Sequence, residues 1–303
     1  MKKIIYSLLS ILLCGLQSCV DLDMAPYNQV ASGNMWSNAA LTNQGVAGVY
    51  AKMRGWGVYS TSYSYNVVPF ECLGMTGEAY RSIPYTSGTA GADNGFFSTM
   101  WKNLYEGVHR ANDAIANLSE VGGGGVDEET RLRLLSESKF LRAYYYMRLN
   151  ELYGRYGLAS VEDCTKGQSP ESEVWDLIVQ DLTDCINEPN FPDHYKEKGR
   201  ACKGAAYALR GRAYLMQGAK YNYNNAVGKV ESTTIDASLL RLAVADFEKV
   251  KGCGFDLFQG GYKELFTEEN EACIEMIFSL QNISKPDYGS AIQKYCGTRS
   301  MMD

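Results

Sequence analysis

The sequence predicts an all-α dominated fold, a tetratricopeptide-like stack of helix hairpins with long loop insertions. One segment, residues 137–157, is apolar and aromatic on more than one helical stripe, so its helix must pack against neighbours on at least two sides. Further amphipathic segments lie before and after it and pair in order. Small residues such as Ala143 and Ala205 stand where paired helices would cross closely.

The individual helices follow from apolar spacing and from the glycines that end them. Apolar residues recur at helical period in six segments, which form three hairpins when taken two at a time. The predicted helices are 41–54, 101–118, 132–153, 171–187, 201–217 and 239–250. Gly154 and Gly218 suit the position past a helix end. The four glycines at 122–125 are interpreted as a linker, because no lysine and hydroxyl pair follows them as in a phosphate-binding loop.

The N-terminus has the pattern of an export signal. Two lysines precede a ten-residue apolar run at 4–13, which is too short to cross a bilayer as a helix. The Leu-Gln-Ser-Cys sequence at 16–19 then resembles a bacterial lipobox, in which the cysteine becomes lipidated. Cys14 is the rival cysteine, but Leu13 before it is too large for the lipoprotein signal peptidase. An ordinary secretory signal with an incidental cysteine is the alternative.

This reading divides the chain into three parts. Residues 1–18 are predicted to be a lipoprotein signal peptide, and residues 19–38 a polar tether that begins at the lipidated Cys19. Residues 39–303 are predicted to form the helical-repeat domain. No other segment has the apolar length to cross a membrane.

The charge balance argues against nucleic acid as a partner. The formal net charge is -6, and removing residues 1–18, which hold two lysines and no acid, gives -6 - 2 = -8. A phosphate backbone requires a basic face instead.

The reactive residue types favour neither catalysis nor metal binding. Nine cysteines less Cys14 and Cys19 leave seven, an odd number with no C-x-x-C pair, which argues against a disulfide framework or a zinc site. His109 and His194 have no motif-placed serine or cysteine partner, and His109 is expected to be a half-buried helix residue. We therefore predict no enzyme activity, no metal and no cofactor.

The segment 56–95 has the composition of a ligand-binding loop. Half of its residues are glycine, serine, threonine or tyrosine, and it also carries aromatic rings, which disordered segments usually lack. A sugar ring stacks on an indole or phenol while a guanidinium fixes its hydroxyls. The candidate ligand residues are Trp56, Tyr59, Tyr63, Tyr65, Tyr80, Arg81 and Tyr85. The alternative is that these rings only anchor the loop to the helices.

An ordered set of motifs resembles the SusD/RagB family of outer-membrane nutrient-binding lipoproteins. The set comprises the lipobox at Cys19, Trp101-x-x-x-Tyr105, Phe-Leu-Arg-Ala-Tyr-Tyr-Tyr at 140–146, Lys-Gly-Ala-Ala at 203–206 and Asn-Glu at 270–271 followed by Glu-Met-Ile-Phe-Ser at 275–279. The resemblance covers Cys19 to about residue 281. It implies a short β element near 274–281 after the helices.

The resemblance also implies a function and a location. Members are lipid-anchored in the outer membrane, face the cell exterior, and capture glycans, or in some cases peptides, for a partner TonB-dependent, SusC-like transporter. We therefore expect a carbohydrate-binding protein of nutrient uptake, with a glycan ligand and a transporter as its partners.

The chain departs from the family at its C-terminal end. Family members continue into a further helix hairpin and a loop-rich second half, so this chain looks truncated and its domain is expected to be incomplete at the C-terminus. The alternative function is accordingly a helical-repeat docking protein, or an inactive fragment, without ligand binding of its own.

Overall fold

A computed structural model describes residues 35–55, 95–120, 122–153, 167, 169–195, 197–224 and 229–281. The described residues form six α-helices and one pair of strands. The helices are α1 (Ala39–Ala51), α2 (Gly95–Ser119), α3 (Glu128–Tyr153), α4 (Glu171–Asn187), α5 (Lys203–Gly218) and α6 (Ala237–Gly252). The strands are β1 (Ala219–Asn224) and β2 (Lys229–Ile235), and a short 3-10 turn, Lys52–Arg54, extends α1.

The helices stack in chain order, as the sequence predicts. Each helix from α2 onward packs against the next along the chain, and α1 packs against both α2 and α3. The three predicted hairpins are therefore confirmed, with α2 starting six residues earlier than expected. Of the small residues placed at helix crossings, Ala143, Ala205, Ala206 and Ala213 are buried.

The prediction of a short β element near 274–281 is wrong. Those residues form turns and irregular backbone, with the Phe278 ring packed 5.0 Å from Phe140 and 6.5 Å from Tyr50. No described strand lies beside them to complete a hydrogen-bonded ladder. The sheet lies instead between α5 and α6, where β1 and β2 pair antiparallel with Ala219 opposite Ile235.

Helix α3 is the centre of the stack. Seven consecutive residues, 143–149, are buried, which covers every side of the helix within two turns. Its fully buried large side chains include Phe140, Leu141, Tyr145, Tyr146, Met147 and Leu149. Burying one such side chain contributes about 1.5–3 kcal/mol relative to exposure, so α3 dominates the core.

The crossing of α2 and α3 depends on one glycine. A Cβ atom at Gly107 would lie 2.7–2.8 Å from three ring atoms of Tyr145. The Tyr145 ring is fully buried, and its hydroxyl donates to the Val49 carbonyl of α1 at 2.6 Å. The ring is therefore held from both ends, and α2 approaches it closely only because residue 107 has no side chain.

Two arginines repeat the same arrangement in successive hairpins. Arg142 of α3 forks onto Asp181 of α4, with Nε to Oδ2 at 2.8 Å and Nη2 to Oδ1 at 2.7 Å, and its Nη1 donates at 2.9 Å to Asn112 of the preceding hairpin. The second arginine follows in α5. Planar guanidinium pairs of this kind fix geometry as well as charge.

In the third hairpin, Arg210 of α5 forks onto Asp246 of α6 with both distances 2.8 Å. Its Nη1 donates at 2.8 Å to Thr183 of α4. Each arginine thus joins the two helices of its own hairpin and also bonds to the preceding hairpin, which fixes the register between the two hairpins.

The buried carboxylate of Glu137 in α3 connects α1 to the residues before α5. Its side chain is 1% exposed and accepts from Tyr50 of α1 and Arg200 before α5, both at 2.9 Å, and from Arg133. The Tyr50 hydroxyl also accepts from the Ala201 backbone N–H at 3.0 Å. Burial and the Glu137 carboxylate raise the pKa of Tyr50 well above its ordinary value, so this hydroxyl stays a donor.

Substituting Gly107 should destabilise the fold. We expect Gly107→Ala to lower the free energy of unfolding by about 1–3 kcal/mol, because overpacking against the fixed Tyr145 ring outweighs the better helix propensity of alanine. The control is Gly252→Ala, at the end of α6, where a Cβ would meet nothing within 4 Å. We expect it to change stability by less than about 1 kcal/mol. Urea unfolding of both variants measures this, and equal effects would contradict the close approach.

Removing one partner of the Arg142–Asp181 pair should cost more than removing both. Asp181→Ala leaves a guanidinium without its carboxylate and should lower the free energy of unfolding by about 3–5 kcal/mol, whereas the double replacement Arg142→Met, Asp181→Leu should recover most of that loss. Lys220→Gln, which breaks a pair with Glu171 in which both side chains are 47% exposed, is the control, with an expected change of about 1 kcal/mol or less. A double variant as unstable as Asp181→Ala would refute this account.

Candidate functional site

The residues predicted to bind ligand lie outside the described residues. This holds for Trp56, Tyr59, Tyr63, Tyr65, Tyr80, Arg81 and Tyr85, and for the predicted lipidation site Cys19. What the structure does describe is the part of the helical stack from which the segment 56–94 departs and to which it returns. That region is the candidate functional site.

The two ends of this segment meet α2 near its first turns. Gly55 ends the described part before the segment, and a Cβ atom there would lie 3.2 Å from the Asn103 side chain of α2. Lys52, in the same turn, pairs with Glu106 of α2, and this hydrogen bond lowers the pKa of the Glu106 carboxyl. The chain resumes at Gly95, where α2 begins. Residues 56–94 thus connect the end of α1 to the start of α2 in sequence.

Four half-buried aromatic side chains surround the point of return. We call Phe97, Trp101, Tyr105 and Tyr153 the aromatic cluster. Trp101 lies between the others, with ring centroids 4.8 Å from Tyr105 and 5.0 Å from Tyr153 in an edge-to-face contact. Edge-to-face and offset pairs of this kind add about 0.5–1.5 kcal/mol beyond area burial.

Tyr153, at the C-terminal end of α3, holds the aromatic cluster to the main core. Its hydroxyl donates to the Phe97 carbonyl at 2.8 Å, and burial raises its pKa, so it remains a neutral donor. The cluster therefore offers a fixed aromatic base at the start of α2.

A group of charged side chains lies near the C-terminal end of α3. Glu151 of α3 is 10% exposed in its side chain and pairs with Arg148 of the same helix and, at 2.7 Å, with Arg212 of α5. The Arg212 side chain is 57% exposed, so one guanidinium here faces solvent. Guanidinium groups and aromatic rings are the side chains that recognise hydroxyl-rich ligands and their substituents.

The nucleophilic and metal-binding residue types are dispersed in the described part of the chain. No group of three or more histidine, cysteine, aspartate or glutamate side chains there could hold a metal ion. His109 is exposed, which corrects the expectation of a half-buried residue, because it lies on the side of α2 away from α3. His194 stacks on Phe255 at 4.3 Å. Burial raises the pKa of the Cys202 thiol to about 11, so this thiol is protonated at neutral pH.

Sequence reasoning did not single out the paired roles of the buried Glu137 and the half-buried Arg142 and Arg210. It also missed Trp36, whose Nε1 donates to Asp113 of α2 at 3.1 Å. The available signal was a charged residue within an apolar helical stretch, since such a residue requires a buried partner. For Trp36 the signal was an indole within an otherwise polar segment.

No described helix is long and apolar enough to cross a membrane.

Comparison with known proteins gives one family. The profile described as "SusD-like_3: Starch-binding associating with outer membrane" matches residues 22–215. A SusD-like protein of Bacteroides ovatus is 23% identical over 275 residues, which cover 87% of this chain and 47% of that relative. The SusD-like protein P25 of Formosa agariphila is 29% identical over 116 residues, which cover 36% of this chain and 21% of that relative. The chain thus spans less than half the length of either curated relative.

Solved structures share the helical fold. A SusD-like carbohydrate binding protein from Bacteroides fragilis has a TM-score of 0.65 at 20% identity, over 82% of this chain and 47% of that one. A laminarin binding SusD-like protein has a TM-score of 0.63 at 23% identity, over 84% and 55% of the two chains. A structure with xylogluco-oligosaccharide has a TM-score of 0.58 at 22% identity, over 78% and 46%.

Proposed function

Because the chain belongs to the SusD-like family, whose profile matches residues 22–215, we propose that it is a cell-surface lipoprotein that binds a nutrient glycan and delivers it to a partner TonB-dependent transporter. The family match carries the proposal. The lipobox, the aromatic segment and the helical frame each support one part of it.

The lipobox supports the location. A lipid on Cys19 would anchor the protein in the outer membrane, with affinity growing by roughly 0.8 kcal/mol per buried CH2. The tether at 19–38 would then hold the helical-repeat domain at the exterior surface, where a polysaccharide too large for diffusion through the membrane is met first.

The segment 56–94 and the aromatic cluster support glycan capture. The segment supplies rings and one guanidinium, and the aromatic cluster supplies a fixed base at its point of return, 5.0 Å from ring to ring between Trp101 and Tyr153. A rigid base lowers the ordering cost of a ligand loop, which is how preorganisation raises affinity. Relatives of this fold include one that binds laminarin and one solved with a xylogluco-oligosaccharide, so we propose an oligo- or polysaccharide as the ligand class.

We further propose that the protein captures its ligand without chemical change. Glycoside hydrolysis requires two carboxyl groups set across one bond, about 5–10 Å apart, in a cleft. The adjacent pairs Glu128-Glu129 and Glu268-Glu269 belong to helix and turn starts, where Glu128 pairs with Arg131 of its own helix.

The docking alternative is favoured by a specific observation. Apolar side chains remain exposed on the last hairpin, with Val244 at 56%, Phe247 at 40% and Leu215 at 45%. Exposed apolar surface of this kind is typical of a site that another helix covers. Glycan binding separates the two functions, since a pure docking module would ignore every polysaccharide.

Lipidation should depend on Cys19 alone. When the full chain is expressed in a bacterial host fed an alkyne fatty acid, we expect the lipid label on the wild type and on Cys14→Ser, and none on Cys19→Ser. The label is read by gel fluorescence after coupling a dye. Label retained by Cys19→Ser, or lost only from Cys14→Ser, would refute the lipobox assignment.

Glycan binding should depend on aromatic residues of the 56–94 segment. We expect the chain to be retarded in native gels that contain one polysaccharide of a panel. Trp56→Ala or Tyr63→Ala should weaken that binding by about tenfold, since loss of a stacking ring removes on the order of 1 kcal/mol or more. Tyr262→Ala, a ring 82% exposed outside the segment, is the matched control and should bind as the wild type does. Unchanged affinity in both segment variants, with helicity intact by circular dichroism, would exclude this segment as the site.

A further inference from the structure

An open cleft lies where α2 ends, apart from the predicted ligand segment. Its volume is about 550 Å³, within the size range of small-molecule sites. It is lined by Trp36, Ser37, Ala116, Asn117, Glu120 and the four glycines Gly122–Gly125. None of these residues belongs to the segment 56–94, so the cleft is a separate feature of the fold.

The tetraglycine, which links α2 to α3, forms one wall of this cleft. Gly122, Gly124 and Gly125 have φ angles of 78°, 81° and 58°, which residues other than glycine rarely adopt. The Thr42 hydroxyl of α1 donates to the Gly124 carbonyl, and the Gly123 N–H donates to the Glu120 carbonyl at 2.9 Å. The backbone is thus held by two hydrogen bonds, and a Cβ atom at Gly122 would meet nothing within 4 Å.

Trp36 is the aromatic wall of the cleft. Its Nε1 donates to the Asp113 carboxylate of α2 at 3.1 Å, and its ring lies against α1, where a Cβ at Gly45 would be 2.8 Å from Cη2. Asp113 also accepts from the Asn117 amide at 3.3 Å. The indole is therefore held in one orientation between two helices. Indole is the side chain that attracts cations most strongly through its π face.

The electrostatics of the cleft favour a positive ligand. The C-terminal end of a helix carries a partial negative charge, and α2, with 25 residues, ends here at Ser119. The Glu120 carboxylate lines the cleft, the Asp113 carboxylate lies behind the indole, and no lining residue is basic. Arg131 donates to the Leu118 carbonyl, but its charge is matched by its own partner Glu128.

We propose that this cleft binds the positively charged ammonium group of a small ligand, between the indole of Trp36 and the carboxylate of Glu120. An anion would meet the negative end of α2 and the Glu120 carboxylate. A neutral ligand would gain hydrogen bonds from Asn117 and the glycine backbone but no charge interaction. An ammonium group gains a cation–π contact, an ion pair and the helix end together.

The test uses the full chain labelled with 5-fluorotryptophan, whose four tryptophans give four fluorine resonances. The Trp36 resonance is assigned by Trp36→Phe or, if that variant does not fold, by elimination with Trp56→Phe, Trp101→Phe and Trp175→Phe. The probe is tetramethylammonium, and tert-butanol is its uncharged counterpart. We expect a saturable shift of the Trp36 resonance with tetramethylammonium alone.

Two variants and two natural ammonium sources complete the test. Glu120→Gln should weaken tetramethylammonium binding by about threefold, as expected for loss of one exposed ion pair, while the remote Glu268→Gln should leave it unchanged. Glucosamine and Nα-acetyl-lysine amide then distinguish an amino sugar from a lysine side chain as the source of the ammonium group. Tighter binding of either compound than of tetramethylammonium supports the site. A Trp36 resonance that does not saturate, an equal shift with tert-butanol, or wild-type affinity in Glu120→Gln would overturn the proposal.

Discussion

The fold depends on satisfying charged residues inside a helix that is buried on all sides. Helix α3 carries Glu137 and Arg142 within its apolar stretch, and isolated buried charges cost several kcal/mol each. The carboxylate of Glu137 is met by α1 and by the residues before α5, and the guanidinium of Arg142 by α2 and α4. Apolar packing alone would hold the helices together, but these pairs allow only one register.

The repeat-like part of the fold was readable because it rests on local periodicity. The apolar stripes of α3 and α4 and the glycines after α3 and within α5 appear in the chain itself. The strand pair was missed since the sequence, with tyrosine and asparagine in β1 and threonine in β2, lacks a strong alternation of apolar residues. The strand expected at 274–281 failed for a tertiary reason: Phe278 packs on Phe140 and Tyr50 of the helices.

The candidate site, like the fold, was predictable from the sequence only in part. Composition alone predicted a ligand-binding loop at 56–95, because aromatic rings among glycine and serine are unusual in a loop. The aromatic cluster was not readable, since Phe97, Trp101 and Tyr153 come from two helices and meet only through the packing of α2 on α3. Trp36 was likewise placed in a tether, although Asp113, 77 residues later, holds its indole against the helices.

The proposed function and the helical frame are linked through the aromatic cluster. A stack whose register is fixed by ion pairs holds this cluster in a constant position, as the proposed glycan capture requires. The most direct measurement is hydrogen–deuterium exchange, read by mass spectrometry, of the full chain with and without the polysaccharide that retards it in native gels. The account predicts slowed exchange in peptides from 56–94 and at the start of α2, with α5 and α6 unchanged. Protection confined to α5 and α6, with none in 56–94, would contradict it.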